Sequence, residues 1–204
     1  MPTDADAIVA YVNDALRRVN TVLPGQIDSY DPASGKASVR PLLREKYADG
    51  DVLELPVIDN VPLVFPRTGE ASISLPVARG DGVLLLFCQR SMDTWLSSGG
   101  VANPDDIRMH SLSDAIAIPG LVPFSVGGSG TTDLVIQRGS AQFKIDGSDK
   151  IAFGTSSAEL LDLLDQVIDA IIASNCVNGA PLTEVTAGTF GTIKSTLATI
   201  KGSI

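Results

Sequence analysis

Residues 26–43 read QIDSYDPASGKASVRPLL, two alternating runs on either side of Asp31-Pro32-Ala33-Ser34-Gly35. Pro32 carries the fixed φ that suits a turn's second position, and Gly35 tolerates positive φ, so the stretch predicts a β-hairpin. Downstream, VLELPVI (52–58), VPLVF (61–65), ASISLPV (71–77) and GVLLLFC (82–88) follow as short apolar segments bounded by Gly, Pro, Asn or Asp. That spacing predicts a small all-β barrel.

Prolines 56, 62, 66 and 76 lie at or inside these segments. Proline cannot donate to a ladder, so the strands are expected to be short, bulged or at edges, as in a partly open five-stranded OB barrel. Residues 89–120 read as a long loop with a short return segment, DAIAIPG (114–120). Upstream of the hairpin, residues 4–20 place Ile8, Val12, Leu16 and Val19 on one helical face, with Asp4 available to cap the start. That stripe needs a partner. Folding back onto its own domain and docking onto a neighbouring subunit or hub both satisfy it, and the residues leave the two open.

Val126-Gly127-Gly128-Ser129-Gly130 reads as a linker, because the pattern changes on either side of it. Beyond it Leu134 and Ile136, Phe143 and Ile145, and Ile151 and Phe153 alternate with polar residues. Three short strands result, each with one apolar edge and too few residues to enclose a core. Three copies could wind them into a β-helix with these six side chains on the axis and Gln137, Arg138, Gln142, Lys144 and Asp146 outside. A small monomeric meander capping the barrel fits the same periodicity.

The C-terminal third is expected to be helical. Ser156 and Glu159 have capping-box spacing, Leu160, Leu164, Val167 and Ile171 follow at steps of four and three, and Leu161, Ile168 and Ile172 widen the stripe. Asn178-Gly179-Ala180-Pro181 breaks the pattern before Phe190, Ile193, Leu197 and Ile200 resume it, which predicts a helical hairpin whose surplus stripe can bundle three subunits. Asp162, Asp165 and Asp169 between the apolar positions read as a solvated acidic face. The organisation expected is mainly β: an N-terminal helix (1–21), an OB-fold domain (22–125), three short strands (126–155) that form either a short intertwined trimeric β-helix or the capping meander, and a C-terminal helical hairpin (156–204).

With 15 basic and 24 acidic residues the chain carries −9, which argues against affinity for nucleic acid or anionic membranes. Cys88 and Cys176 form no metal spacing or redox pair, and both are expected to be reduced. The first ten residues lack a basic n-region, so no secretory signal is read and synthesis in the cytoplasm is expected. No apolar run is long enough to cross a bilayer.

The motif search points away from catalysis. His110 is the single histidine, and its setting RMHSLSD lacks nucleophile-elbow spacing, so a packed or hydrogen-bonded structural role is expected. GGSGTT has no phosphate-cradling lysine, and Asp31, Asp49 and Asp51 lack calcium-loop spacing. No enzyme activity, cofactor or metal is expected.

LPGQIDSYDPASGKASVRPLLR (23–44), VPLVFPRTG (61–69), SLPVARGDGVLLLFCQRSMDTWLSSGG (74–100) and HSLSDAIAIPG (110–120) together resemble the OB-fold N-terminal domain of phage baseplate spike proteins, the assembly protein V-like puncturing spikes. The resemblance covers roughly residues 22–125. It implies a homotrimer with a triple-stranded β-helix below the barrels, placed at the centre of a contractile-tail baseplate beneath the tail tube and its hub. It also implies structural roles for Trp95 and Asp114. Several such spikes end in a His-x-His iron apex, which this sequence lacks, so a separate tip protein is expected to complete the point. Composition keeps a second class in view, an OB-fold binder of single strands or oligosaccharides, which the 5% aromatic content and negative charge disfavour.

Overall fold

The computed structural model describes residues 3–47, 50–127, 130–173, 176–177, 180–181 and 184–202. Asp49, Gly128, Ser129, Asn178 and Gly179, which enter the sequence expectations, lie outside the described residues. The chain divides into two compact units, Met1–Gly128 and Ser129–Ile204. The molecule is mainly β, with a curled half-barrel sheet and a few helices that include a C-terminal pair.

The N-terminal unit opens with α1 (Asp4–Arg17). Its cap is Thr3 rather than the expected Asp4. The Thr3 hydroxyl accepts the Asp6 N–H at 3.3 Å, and the Asp6 carboxylate accepts the Thr3 N–H at 2.8 Å, which satisfies two donors a helix start leaves orphaned. The Thr3 hydroxyl also donates to that carboxylate at 2.7 Å, and this bond first, then the one from the Thr3 N–H, holds the Asp6 carboxyl below its ordinary range.

The predicted hairpin is present as β1 (Val22–Asp31) and β2 (Lys36–Pro41), antiparallel and bulged between Ile27 and Ser29. Asp31 builds the turn by accepting the Ala33 N–H at 3.0 Å and the Ser34 hydroxyl at 2.6 Å, and Gly35 takes φ 71°. A two-stranded ribbon, β3 (Glu45–Lys46) with β4 (Val52–Leu53), precedes β5 (Ile58–Pro62). VLELPVI is thus split around Pro56. ASISLPV, expected as a strand, makes only one isolated bridge, Arg67 to Ser72, and leaves Ile73 and Leu75 exposed. Pro76 inside it and Pro66 before it lack ladder donors, and its alternation belongs to a loop.

GVLLLF forms β6 (Gly82–Phe87), and the loop after it carries a short helix, α2 (Asp93–Ser98). The return segment is β7 (Ala115–Pro119). The sheet order is β5-β2-β1-β6-β7. A parallel bridge from Leu63 to Ala117, with the Val64 N–H donated to Ala117 O at 2.9 Å, draws the two outer strands toward each other. Inside the curl Ile27, Val39, Val61, Val83, Leu85 and Ala117 are among the buried apolar side chains. Gly25 permits this closeness, because a Cβ there would lie 2.8 Å from Val39 Cγ1 and 2.9 Å from Leu85 Cδ1.

In the C-terminal unit β8 (Leu134–Arg138), β9 (Ala141–Ile145), β10 (Ile151–Thr155) and β11 (Ala158–Glu159) form one antiparallel sheet in the order β11-β10-β9-β8. α3 (Leu160–Ala173) follows, then a ribbon of β12 (Cys176–Val177) and β13 (Ala180–Pro181), then α4 (Glu184–Ile200). Ser156 does not cap a helix as expected, since the chain first turns back into β11. Glu159 caps instead: its buried carboxylate accepts the Asp162 N–H at 2.7 Å and the Phe153 N–H at 2.8 Å, tying the helix start to the strand.

Candidate functional site

Cross-strand register gathers the six apolar residues of β8 to β10 onto one face. Leu134, Ile145 and Ile151 form one row, and Ile136, Phe143 and Phe153 form the next. Directly opposed residues share a face because side chains alternate along each strand. The rings of Phe143 and Phe153 are 6.5 Å apart and tilted. This face is open to solvent on its own chain: Ile136 is 64% exposed, Phe153 54% and Leu134 59%, while Phe143, Ile145 and Ile151 are half-buried. Ala152 is the one buried apolar residue among the described residues of this unit.

α3 has two faces of different use. Leu160, Leu164 and Val167 are exposed and Ile171 is half-buried, so the heptad stripe read from the sequence lies largely outward. The acidic residues, expected as a solvated face, are about half exposed at Asp162 and Asp169, and they also meet lysines in and just after α4. Lys194 Nζ lies 2.5 Å from Asp169 and 3.8 Å from Asp165, and Lys201 Nζ lies 2.7 Å from Asp162 and 3.1 Å from Asp165. These contacts raise both lysines above their ordinary range, Asp169 acting first on Lys194 and Asp162 on Lys201. The pairing is a long-range contact between the helices, which spacing along one helix does not encode.

α1 buries none of its residues, and Ile8, Val12, Leu16 and Val19 all stand exposed. The chain just after it is nonetheless anchored. Asn20 Nδ2 donates to His110 O at 2.8 Å, and His110 Nδ1 donates to Asn20 O at 3.0 Å. His110 holds this position at φ 49°.

Arg108 was not singled out by sequence reasoning. It donates through Nε and Nη2 to buried Asp114 at 2.6 and 2.8 Å, and also reaches Asp93 at 2.5 Å and Asp106 at 2.9 Å. Asp114 additionally accepts the Met92 N–H at 3.0 Å. The Arg108 guanidinium, then that backbone bond, hold the Asp114 carboxyl below its usual range, and Arg108 is raised in turn. One bidentate pair therefore locks the loop between β6 and β7, with Trp95 exposed on α2. The dense acids of PDDIRMHSLSD were the available signal. Burial, with Asp114 second, pushes the Cys88 thiol upward.

Among the described residues no group of three or more His, Cys, Asp or Glu is arranged to hold a metal ion, and no helix is long and apolar enough to cross a membrane. What the geometry presents is apolar surface exposed on its own chain, on the β8–β10 face, α1 and α3. Residues 23–120 match the family model described as phage protein Gp138 N-terminal domain, which supports a phage-related family. No curated protein matches the chain.

Proposed function

We propose that the chain is a non-enzymatic structural protein of a phage contractile-tail baseplate, a homotrimeric spike beneath the tail tube that helps pierce the host envelope. The observation that carries this reading is how little apolar surface the described residues of the C-terminal unit bury. Among its described residues only Ala152 is a buried apolar residue, while Leu134, Ile136, Phe153, Leu160, Leu164 and Val167 lie exposed. Removing apolar surface from water is the main favourable term in folding. Contiguous apolar surface of this kind marks an interaction site. Two sister chains supply matching surfaces, the two rows of the sheet at the axis and the α3 stripe continuing it.

The family match over 23–120 supports the phage assignment and a place in the virion. The order β5-β2-β1-β6-β7, with the parallel Leu63–Ala117 bridge toward closure, supports an OB-type barrel. In the working particle, sheath contraction supplies force and the spike transmits it, since no intertwined chain unfolds without disrupting its neighbours. Hub or tail-tube proteins and a separate tip protein are its partners in this reading. Nucleic acid is not, in keeping with the charge of −9.

Light scattering of the intact chain is the test. The expected mass is three times the 21.3 kDa of one chain, and Ile136→Asp with Phe153→Asp should return it to single copies. A folded wild-type monomer would overturn the proposal.

A further inference from the structure

α1 is bounded by defined hydrogen bonds and buries none of its residues against its own chain. Its capping box defines the start, the Arg18 N–H closes the end onto Ala15 and Leu16 carbonyls, and the Asn20–His110 pair fixes the exit. Phe87 N–H, donated to Thr21 O at 3.0 Å, carries that anchor into β6. A 14-residue helix that buries none of its residues is marginal in water, so the exposed stripe calls for an occupant.

The same unit holds an open groove where the C-terminal end of α1 meets the β3–β4 ribbon. Its floor, with a cavity of about 390 Å³, is lined by Val19, Val22, Leu23, Leu43, Leu55 and Leu112 and by an equal number of polar or charged residues, Arg17 and Arg44 among them. Its mouth, about 970 Å³, is rimmed by Arg17, Arg18 and Lys46 together with Asp14, Glu45 and Tyr47. Arg18 pairs with Asp14 at 2.8 Å, whereas Arg17 and Lys46 make no ion pair among the described residues.

Charge complements this groove at the other end of the same helix, where the first turn of α1 carries Asp4 and Asp6. Asp4 and Arg17 are about 20 Å apart along α1 at 1.5 Å per residue, so the acids cannot reach their own helix's cations. Three α1 helices bundled in parallel on the axis would stack acids on acids and cations on cations. A head-to-tail arrangement sets opposite charges together, and rotational rings are built from such heterologous contacts.

We propose that α1 of one copy lies in the groove between α1 and the β3–β4 ribbon of the next, with its apolar stripe on the groove floor and its acidic first turn beside Arg17 and Lys46. The inference rests on the homotrimer reading and specifies how its N-terminal units join. It commits the stripe to a second copy of this chain, not to a hub protein.

Amide hydrogen exchange of residues 4–17 in the intact wild-type trimer tests it, with mass measured in parallel. The helix should be protected in the trimer. Asp4→Lys and Lys46→Glu should each weaken that protection roughly fivefold, and combining them should restore it to within about twofold. Lys46 lies outside α1, so K46E cannot repair helix propensity, and recovery reports pairing between copies. A trimer whose α1 exchanges freely, as a hub-binding helix would before assembly, overturns this inference. A double variant no better than the two singles added together does the same. A single-copy mass instead overturns the trimer on which it rests.

Discussion

The two units of this chain use apolar residues in opposite ways. In the N-terminal unit the sheet curls, and ten buried apolar side chains form one cluster under five strands. In the C-terminal unit the strands form a four-stranded meander whose apolar rows face outward, and the helices beside it pair partly through Asp–Lys contacts. Curl makes the difference. A sheet whose outer strands approach each other encloses its inner face, whereas a short open meander has nothing of its own to lay across its apolar side. The first unit encloses its own apolar cluster, and the described residues of the second leave most of theirs exposed.

The largest effect expected within a single chain follows from that contrast. Leu85 is fully buried at the centre of the half-barrel, so Leu85→Ala should cost about 2–5 kcal/mol in the unfolding of the N-terminal unit. Trp95, the only tryptophan, reports that unit by fluorescence in the intact chain. A shift below about 1 kcal/mol would mean the half-barrel does not depend on its cluster, and the comparison would break.

A smaller effect is expected from the loop lock. Asp114→Asn should cost about 2 kcal/mol at neutral pH, because a charge-assisted bidentate pair is lost. The folded-state carboxyl of Asp114 is held below its unfolded value near 3.9, so its stabilisation is present above about pH 4 and is lost as pH falls through the folded value. Wild-type Trp95 fluorescence should therefore show an acid-dependent loss of stability, and D114N should flatten it. An identical acid limb in both proteins would remove Asp114 from this role.

The smallest effect is expected at the junction of strand and helix in the second unit. Glu159→Ala removes the cap of α3 and an acceptor for the Phe153 N–H, at a cost of about 1 kcal/mol. Thermal melting followed by helical circular dichroism should show it, with the Trp95 transition unmoved. Coupled movement of both signals would show that the two units do not respond separately.

Much of the architecture was legible from local patterns. The β1–β2 hairpin followed from the Asp31 to Gly35 turn, GVLLLFC contained β6, DAIAIPG contained β7, and the C-terminal apolar stripes announced a pair of helices. The misreadings share a cause. ASISLPV alternates like a strand but lies in a loop, and the Ser156–Glu159 spacing looks like a capping box although a strand intervenes. Periodicity records what a segment can do, and tertiary neighbours decide what it does.

By itself the sequence determined turns, alternation along strands and the apolar stripes of helices, because those depend on residues a few positions apart. Only the tertiary structure decided that Arg108 binds three aspartates, that Lys194 and Lys201 meet the acids of α3, and that Ile136, Phe143 and Phe153 align in one row. Those contacts join residues distant along the chain, and their geometry is set by sheet register and helix pairing, which nearest-neighbour preferences do not specify.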